Sequence, residues 1–215
     1  MKINPATDML GVVDVQPTFM PGGELPVPDG DTVVPTVNRL LRHFPSAFAT
    51  QDWHPPGHSS FASAHPGHAP GDMIEMDYGP QILWPDHAIQ NSAGASLHPA
   101  LDQSRISLII RKGFHPGIDS YSAFRENDHR CSTGLAGWLR ARSVERLFLC
   151  GLAADFCVAW SAEDAIAAGF ETIVIEDATR AIAMPLPGGG DSAERARARL
   201  AALGVRFLQT NHLES

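Results

Sequence analysis

Two short stretches carry side chains whose types and spacing could do chemistry. In Gly151-Leu152-Ala153-Ala154-Asp155-Phe156-Cys157-Val158 a cysteine follows a glycine turn, with the apolar run Leu147-Phe148-Leu149-Cys150 before it. The alanine-rich stretch Ala159 to Ala168 follows and ends at Gly169, so the pattern reads as strand, sharp turn and helix. Asp155 is a suitable N-cap, which would set Cys157 in the first helical turn. Unpaired N–H groups and the positive dipole end there favour thiolate over thiol. A nucleophile and a small buried hydrophobe both fit that position. The second stretch is Gln51-Asp52-Trp53-His54-Pro55. Residues two apart in an extended segment point the same way, so Asp52 and His54 can converge while Trp53 packs behind. A carboxylate with an imidazole suits Zn²⁺, Fe²⁺ or Mn²⁺, and further histidines follow at His58, His65, His68 and His87. The alternative is a histidine-rich loop that is simply polar and solvated.

Two more charged residues sit at the ends of apolar runs. Met9-Leu10-Gly11-Val12-Val13-Asp14-Val15 suits a parallel strand covered on both faces, and an acid at its carboxyl end faces the crevice where open α/β sheets hold ligands. Asp14 could equally be a turn residue or a cap. Ile106-Ser107-Leu108-Ile109-Ile110-Arg111-Lys112-Gly113 is a strand ending on a lysine, either a solvated charge or a neighbour of Asp14.

The elements that must position these groups alternate. Asp31 caps a helix through about His43, with Val33, Val34, Val37, Leu40 and Leu41 at helical spacing. Strands follow at Ser46–Thr50, Thr172–Asp177 and Val205–Leu208, and helices from Ser132-Thr133-Gly134-Leu135 through about Ala141 and at Ser192–Leu203. This predicts a three-layer α/β/α sandwich with a mainly parallel sheet. Gly57 to Pro99 is long for a loop, and such segments are functional or disordered; Leu83-Trp84-Pro85-Asp86-His87 favours an ordered, functional one. The Pro185–Gly190 stretch reads as flexible, and the tail Gln209–Ser215 carries no structural signal.

At 215 residues the chain is expected to form a single domain, residues 1–215, with a metal-binding insertion at about 51–99. A net charge of −8 argues against a nucleic-acid partner and against a basic membrane-binding patch. No run is long enough to span a membrane, and the N-terminus lacks a signal-peptide pattern. Three irregularly spaced cysteines make no disulfide framework, so a cytoplasmic location is expected. Cys150 reads as core and Cys131 as incidental. Monomer and homo-oligomer are both left open.

Taken together and in order, these pieces resemble the nicotinamidase/pyrazinamidase group of the isochorismatase-like cysteine hydrolases. The resemblance runs from Leu10 to about Phe207 through Asp14-Val15-Gln16 with Phe19, Gln51-Asp52-Trp53-His54-Pro55, Leu83-Trp84-Pro85-Asp86-His87, Arg111-Lys112-Gly113, the Cys157 stretch, and Asp177-Ala178-Thr179-Arg180-Ala181-Ile182. It departs at Ala154, where relatives often have threonine, and at Thr179, where many have cysteine; neither removes a catalytic group. The resemblance implies that Asp14, Lys112 and Cys157 form a catalytic triad, with the backbone amides of Ala153 and Cys157 as oxyanion hole. It implies a divalent metal, most simply zinc, on Asp52, His54 and His87, with Ser60 at a fourth position either directly or through water. It also implies a cis peptide between Leu152 and Ala153. Phe19 and Trp84 would sandwich a small-molecule substrate, with Leu25 and Tyr121 completing the wall. The implied reaction is hydrolysis of nicotinamide, with pyrazinamide as an analogue, through a cysteine thioester. Alternatives are another amide or ester hydrolase on the same scaffold, such as an isochorismatase or carbamoyl amidase, and a metal-binding homologue without catalysis.

Overall fold

A computed structural model describes residues 1–214; the last residue of the tail lies outside the described residues. Six parallel strands form the central sheet: β1 (Asp8–Val13), β2 (Ala47–Asp52), β5 (Ile106–Lys112), β6 (Arg146–Leu152), β7 (Glu171–Arg180) and β8 (Arg206–Leu208). Their spatial order is β5-β2-β1-β6-β7-β8, so the winding reverses between β1 and β6. That reversal opens a crevice beyond the carboxyl ends of the two strands, the usual ligand position in such sheets.

Period-two alternation along the strands feeds two cores. Leu10 and Val12 pack with Val33, Val37, Leu40 and Leu41 of helix α1 (Val33–His43) on one face. Met9 and Val13 face α2 (Leu135–Arg140), α3 (Cys157–Ala167) and α4 (Ser192–Ala202) through Leu139, Val158, Ala162 and Leu200 on the other. The three-layer arrangement matches the sequence expectation. No helix among the described residues is long and apolar enough to cross a membrane.

Local details differ from the sequence reading. Asp31 lies inside a 3-10 turn, Gly30–Thr32, that precedes α1, and it caps nothing. The long segment after β2 holds a hairpin, β3 (Met73–Met76) and β4 (Gly79–Ile82), that the sequence did not announce. The tail forms a 3-10 turn at Thr210–His212, where no structure was expected. Asp155 does not cap α3 either, although Cys157 is that helix's first residue. Its carboxylate instead accepts the backbone N–H groups of Ile182 and Ala183 at 3.0 and 2.9 Å and the Ser192 hydroxyl, tying the turn before α3 to the segment leading into α4. Two charge-assisted bonds to distant amides outcompete one local cap.

Candidate active site

Four neighbouring strands each deliver one group to the crevice. Asp14 follows β1, Asp52 ends β2, Lys112 ends β5 and Cys157 follows the turn after β6. Asp52 and Lys112 are register partners across β2 and β5. Asp14 adopts a left-handed backbone conformation (φ 46°), held by Thr50, whose hydroxyl accepts the Asp14 N–H at 3.0 Å and donates to Oδ1 at 2.5 Å. After β6 the Leu152–Ala153 peptide is cis. Gly151 is required just before it (φ +107°), because a Cβ there would lie 2.0 Å from the Val13 carbonyl oxygen.

Lys112 is the hub. Its fully buried ammonium lies 2.7 Å from Asp14 Oδ2, contacts Asp52 Oδ1, and stands 3.3 Å from Cys157 Sγ. A carboxylate oxygen of Asp14, one of Asp52 and Sγ of Cys157 all lie within 4.8 Å of one another. Burial pushes the Cys157 thiol well above its ordinary range, the nearby carboxylates add to this, and Lys112 opposes them. Burial and the carboxylates thus oppose the pull of Lys112 and of the helix terminus toward thiolate. Burial likewise raises the Asp14 carboxyl, with Lys112 opposing and Asp52 adding to the rise. Burial works the same way on Asp52 but is overcome by Lys112 and the two histidines, which hold that carboxyl well below the usual range.

Beside this cluster, His54 Nε2 and His87 Nε2 stand 3.7 and 3.5 Å from Asp52 Oδ2. Each ring's Nδ1–H donates to a backbone carbonyl, Gly113 at 2.9 Å and Pro85 at 2.8 Å, which turns both Nε2 atoms toward the carboxylate. A carboxylate and two imidazole nitrogens turned toward one point form a ligand set that suits a divalent cation, which would take the place of the protons on the two Nε2 atoms. Tetrahedral zinc with bonds of about 2.1 Å separates its ligand atoms by about 3.4 Å, close to the spacing found. Gln16, unassigned in the sequence reading, braces the set: its side-chain amide accepts the Asp52 N–H at 2.9 Å and donates to the Asp52 carbonyl at 3.0 Å. Ser60 is buried, and its hydroxyl lies 2.8 Å from His58 Nδ1; His58 is otherwise engaged by the carbonyls of His115 and Ile118.

A small cavity is lined by members of both clusters, Cys157 from one and Asp52 and His87 from the other. Phe19, Leu25, Trp84 and Tyr121 line it together with Ala153, Asp52, His87 and Cys157. The amides of Ala153 and Cys157 donate to no protein acceptor among the described residues, so both remain available beside the thiol. Phe156, Ile182 and Asp119 also line the cavity and were missed. Phe156 directly precedes the cysteine and was open to notice. Asp119 had no local signal beyond its place two residues before Tyr121.

A conserved-domain model described as the isochorismatase domain matches residues 8–203. The chain belongs to the isochorismatase family. Within it, the chain is 48% identical over 202 residues to the nicotinamidase of Acinetobacter baylyi, covering 94% of this chain and 92% of that one. Among solved structures, an Acinetobacter baumanii nicotinamidase/pyrazinamidase superposes with a TM-score of 0.93 at 48% identity, covering 98% and 99% of the two chains. A pyrazinamidase of Pyrococcus horikoshii in complex with zinc superposes with a TM-score of 0.75 at 35% identity, covering 94% and 98%. An isochorismatase-family scaffold thus accounts for the parallel sheet and for the crevice at its winding reversal.

Proposed function

We propose that this isochorismatase-family chain hydrolyses nicotinamide to nicotinate and ammonia through a thioester on Cys157, and serves the salvage of pyridine nucleotides. The observation that carries this reading is the junction, in one small cavity, of the Asp14–Lys112–Cys157 cluster with the Asp52–His54–His87 acceptor set. An aromatic ring carrying both a basic nitrogen and a carboxamide uses both halves. Relatives at 48% identity that are nicotinamidases support the same assignment. Pyrazinamide presents the same groups and is the second expected substrate.

A thiol whose ionisation is suppressed by burial needs a base beside it, and Asp14, its own carboxyl raised, is that base. Asp14 takes the Cys157 proton as sulfur bonds to the carboxamide carbon, and Lys112 balances the negative charge that moves between the two. The amides of Ala153 and Cys157 receive the oxyanion, each worth about 3 kcal/mol when well aimed. Asp14 returns its proton to the departing nitrogen, the carbon–nitrogen bond breaks and ammonia leaves. Water then attacks the thioester with Asp14 again as base, freeing nicotinate and the thiol. Asp52, His54 and His87 would hold a divalent ion, zinc first with iron(II) or manganese(II) as substitutes, and it would supply a positive pole that orients the ring through its basic nitrogen. Ser60, its hydroxyl against His58, would join that set directly or through water. Phe19 and Trp84 hold the ring between them, and Leu25 and Tyr121 close the wall. Free cysteines throughout suit a reducing compartment, and the cytoplasm is the proposed location.

The test is product analysis with reduced, zinc-loaded protein. Ammonia and nicotinate should appear in equal amounts from nicotinamide. No turnover of nicotinamide beside turnover of an aliphatic carbamoyl amide would overturn the assignment in favour of another amidase on this scaffold.

A further inference from the structure

The hairpin β3–β4 buries one polar side chain against the cavity wall. Gln81 is 1% exposed, while its neighbours in the hairpin are half-buried or exposed. Two short strands have little stability alone and need something to dock against, yet the residue this hairpin buries is an amide. Its hydrogen-bonding groups are taken up. Nε2 lies 2.8 Å from Asp119 Oδ2, 3.1 Å from Tyr121 Oη and 2.7 Å from the Ile82 carbonyl, and its two N–H groups are shared among these three acceptors. Oε1 accepts from Tyr78 Oη at 3.1 Å and Asn127 Nδ2 at 3.3 Å. The amide's orientation follows from chemistry, because a carboxylate can only accept. Tyr121 Oη also accepts the Trp84 indole N–H at 2.9 Å. Gln81 itself does not line the cavity, whereas Asp119, Tyr121 and Trp84 do.

We propose that Gln81 is a positioning residue for substrate binding: its buried amide locks Asp119, Tyr121 and, through Tyr121, Trp84 into the arrangement that receives the aromatic ring. This rests on the nicotinamide reading of the cavity. An amide donor between two oxygens keeps the Asp119 carboxylate and the tyrosine oxygen apart yet fixed. A substitution that keeps the shape and removes the donor should loosen the wall and leave Cys157, Asp14 and Lys112 undisturbed. Binding should suffer, and the chemical step should not.

Gln81→Glu keeps shape and the Oε1 acceptor but sets a second carboxylate against Asp119; Gln81→Met keeps length and removes all polarity. Both are compared with the unsubstituted protein, zinc-loaded, by steady-state kinetics on nicotinamide and by thermal melting. Nicotinamide binding is measured calorimetrically in a Cys157→Ala background. The proposal expects KM and Kd to rise about tenfold or more, the order of one lost buried hydrogen bond, with kcat within about threefold and a cooperative melt retained. Unchanged KM and Kd in a folded variant would overturn it, as would equal losses in kcat and kcat/KM. Failure of both variants to fold would also overturn it, because Gln81 would then serve folding alone. An unsubstituted protein inactive on nicotinamide would instead remove the functional reading beneath it.

Discussion

Asp14 and Glu126 are both buried carboxyls, and their neighbours give them different consequences. Asp14 is held by Thr50 and Lys112 beside the cysteine, so its proton affinity is useful. Asp14→Asn keeps the shape and removes the base; kcat on nicotinamide should fall by about 10²–10⁴, the usual worth of a positioned general base. A loss under tenfold would take Asp14 out of the proton path. Glu126 has no such use. Burial pushes its carboxyl up from 4.5 to about 7, with Asp119 adding and Ser120 and Lys112 opposing, and its Oε2 has no hydrogen-bond partner among the described residues. The folded protein therefore holds this proton more tightly than the unfolded chain, so Glu126 favours folding most below pH 4.5 and loses that contribution as pH rises through about 7. Glu126→Gln removes the dependence. In melting scans its Tm should gain on the unsubstituted protein's between pH 5 and pH 8; a constant difference would contradict the account.

At the scale of elements, the site depends on where strands stop and on how closely loops approach them. Gly113 follows β5 in a left-handed conformation (φ +65°), and a Cβ there would sit 2.4 Å from the His54 ring. Gly113→Ala should therefore displace His54, weakening zinc affinity by about 10-fold or more, as disturbing a ligand's supporting contact does. Competition with a chromogenic chelator measures this, and unchanged affinity would show that the loop absorbs the methyl group. The same scale explains what could be read from the sequence. Asp14 and Lys112 each end an apolar run, Asp52 lies just past a predicted strand, and Cys157 follows an apolar run across a glycine turn, so neighbouring parallel strands bring them together. Gln81 and Asp119 belong instead to a hairpin and a loop some forty residues apart in sequence, and only their tertiary approach gives them a role. The hairpin segment Met73-Ile74-Glu75-Met76 is half-buried to exposed and shows no apolar–polar alternation to mark a strand. Asp155 misled for the related reason that a local capping preference yielded to distant amides.

Over the whole molecule, one winding reversal brings the thiol cluster and the acceptor set to a single cavity, and the account makes them interdependent. A metal bound only by the folded chain stabilises it by RT ln(1 + [M]/Kd), about 2.7 kcal/mol at a hundredfold excess over Kd. Chelation should lower Tm, and zinc should restore it; a Tm indifferent to both would remove the metal from the Asp52–His54–His87 set. The central claim is covalent catalysis by Cys157, and a single comparison tests it most directly. Ammonia release from nicotinamide is measured for the zinc-loaded protein and for Cys157→Ala, with cooperative melting showing that both are folded. The account predicts ready turnover by the first and a loss of at least about 10³-fold in the second, since the base, the oxyanion amides and the ring-binding wall cannot replace the nucleophile. Turnover by Cys157→Ala within tenfold of the unsubstituted protein would contradict it.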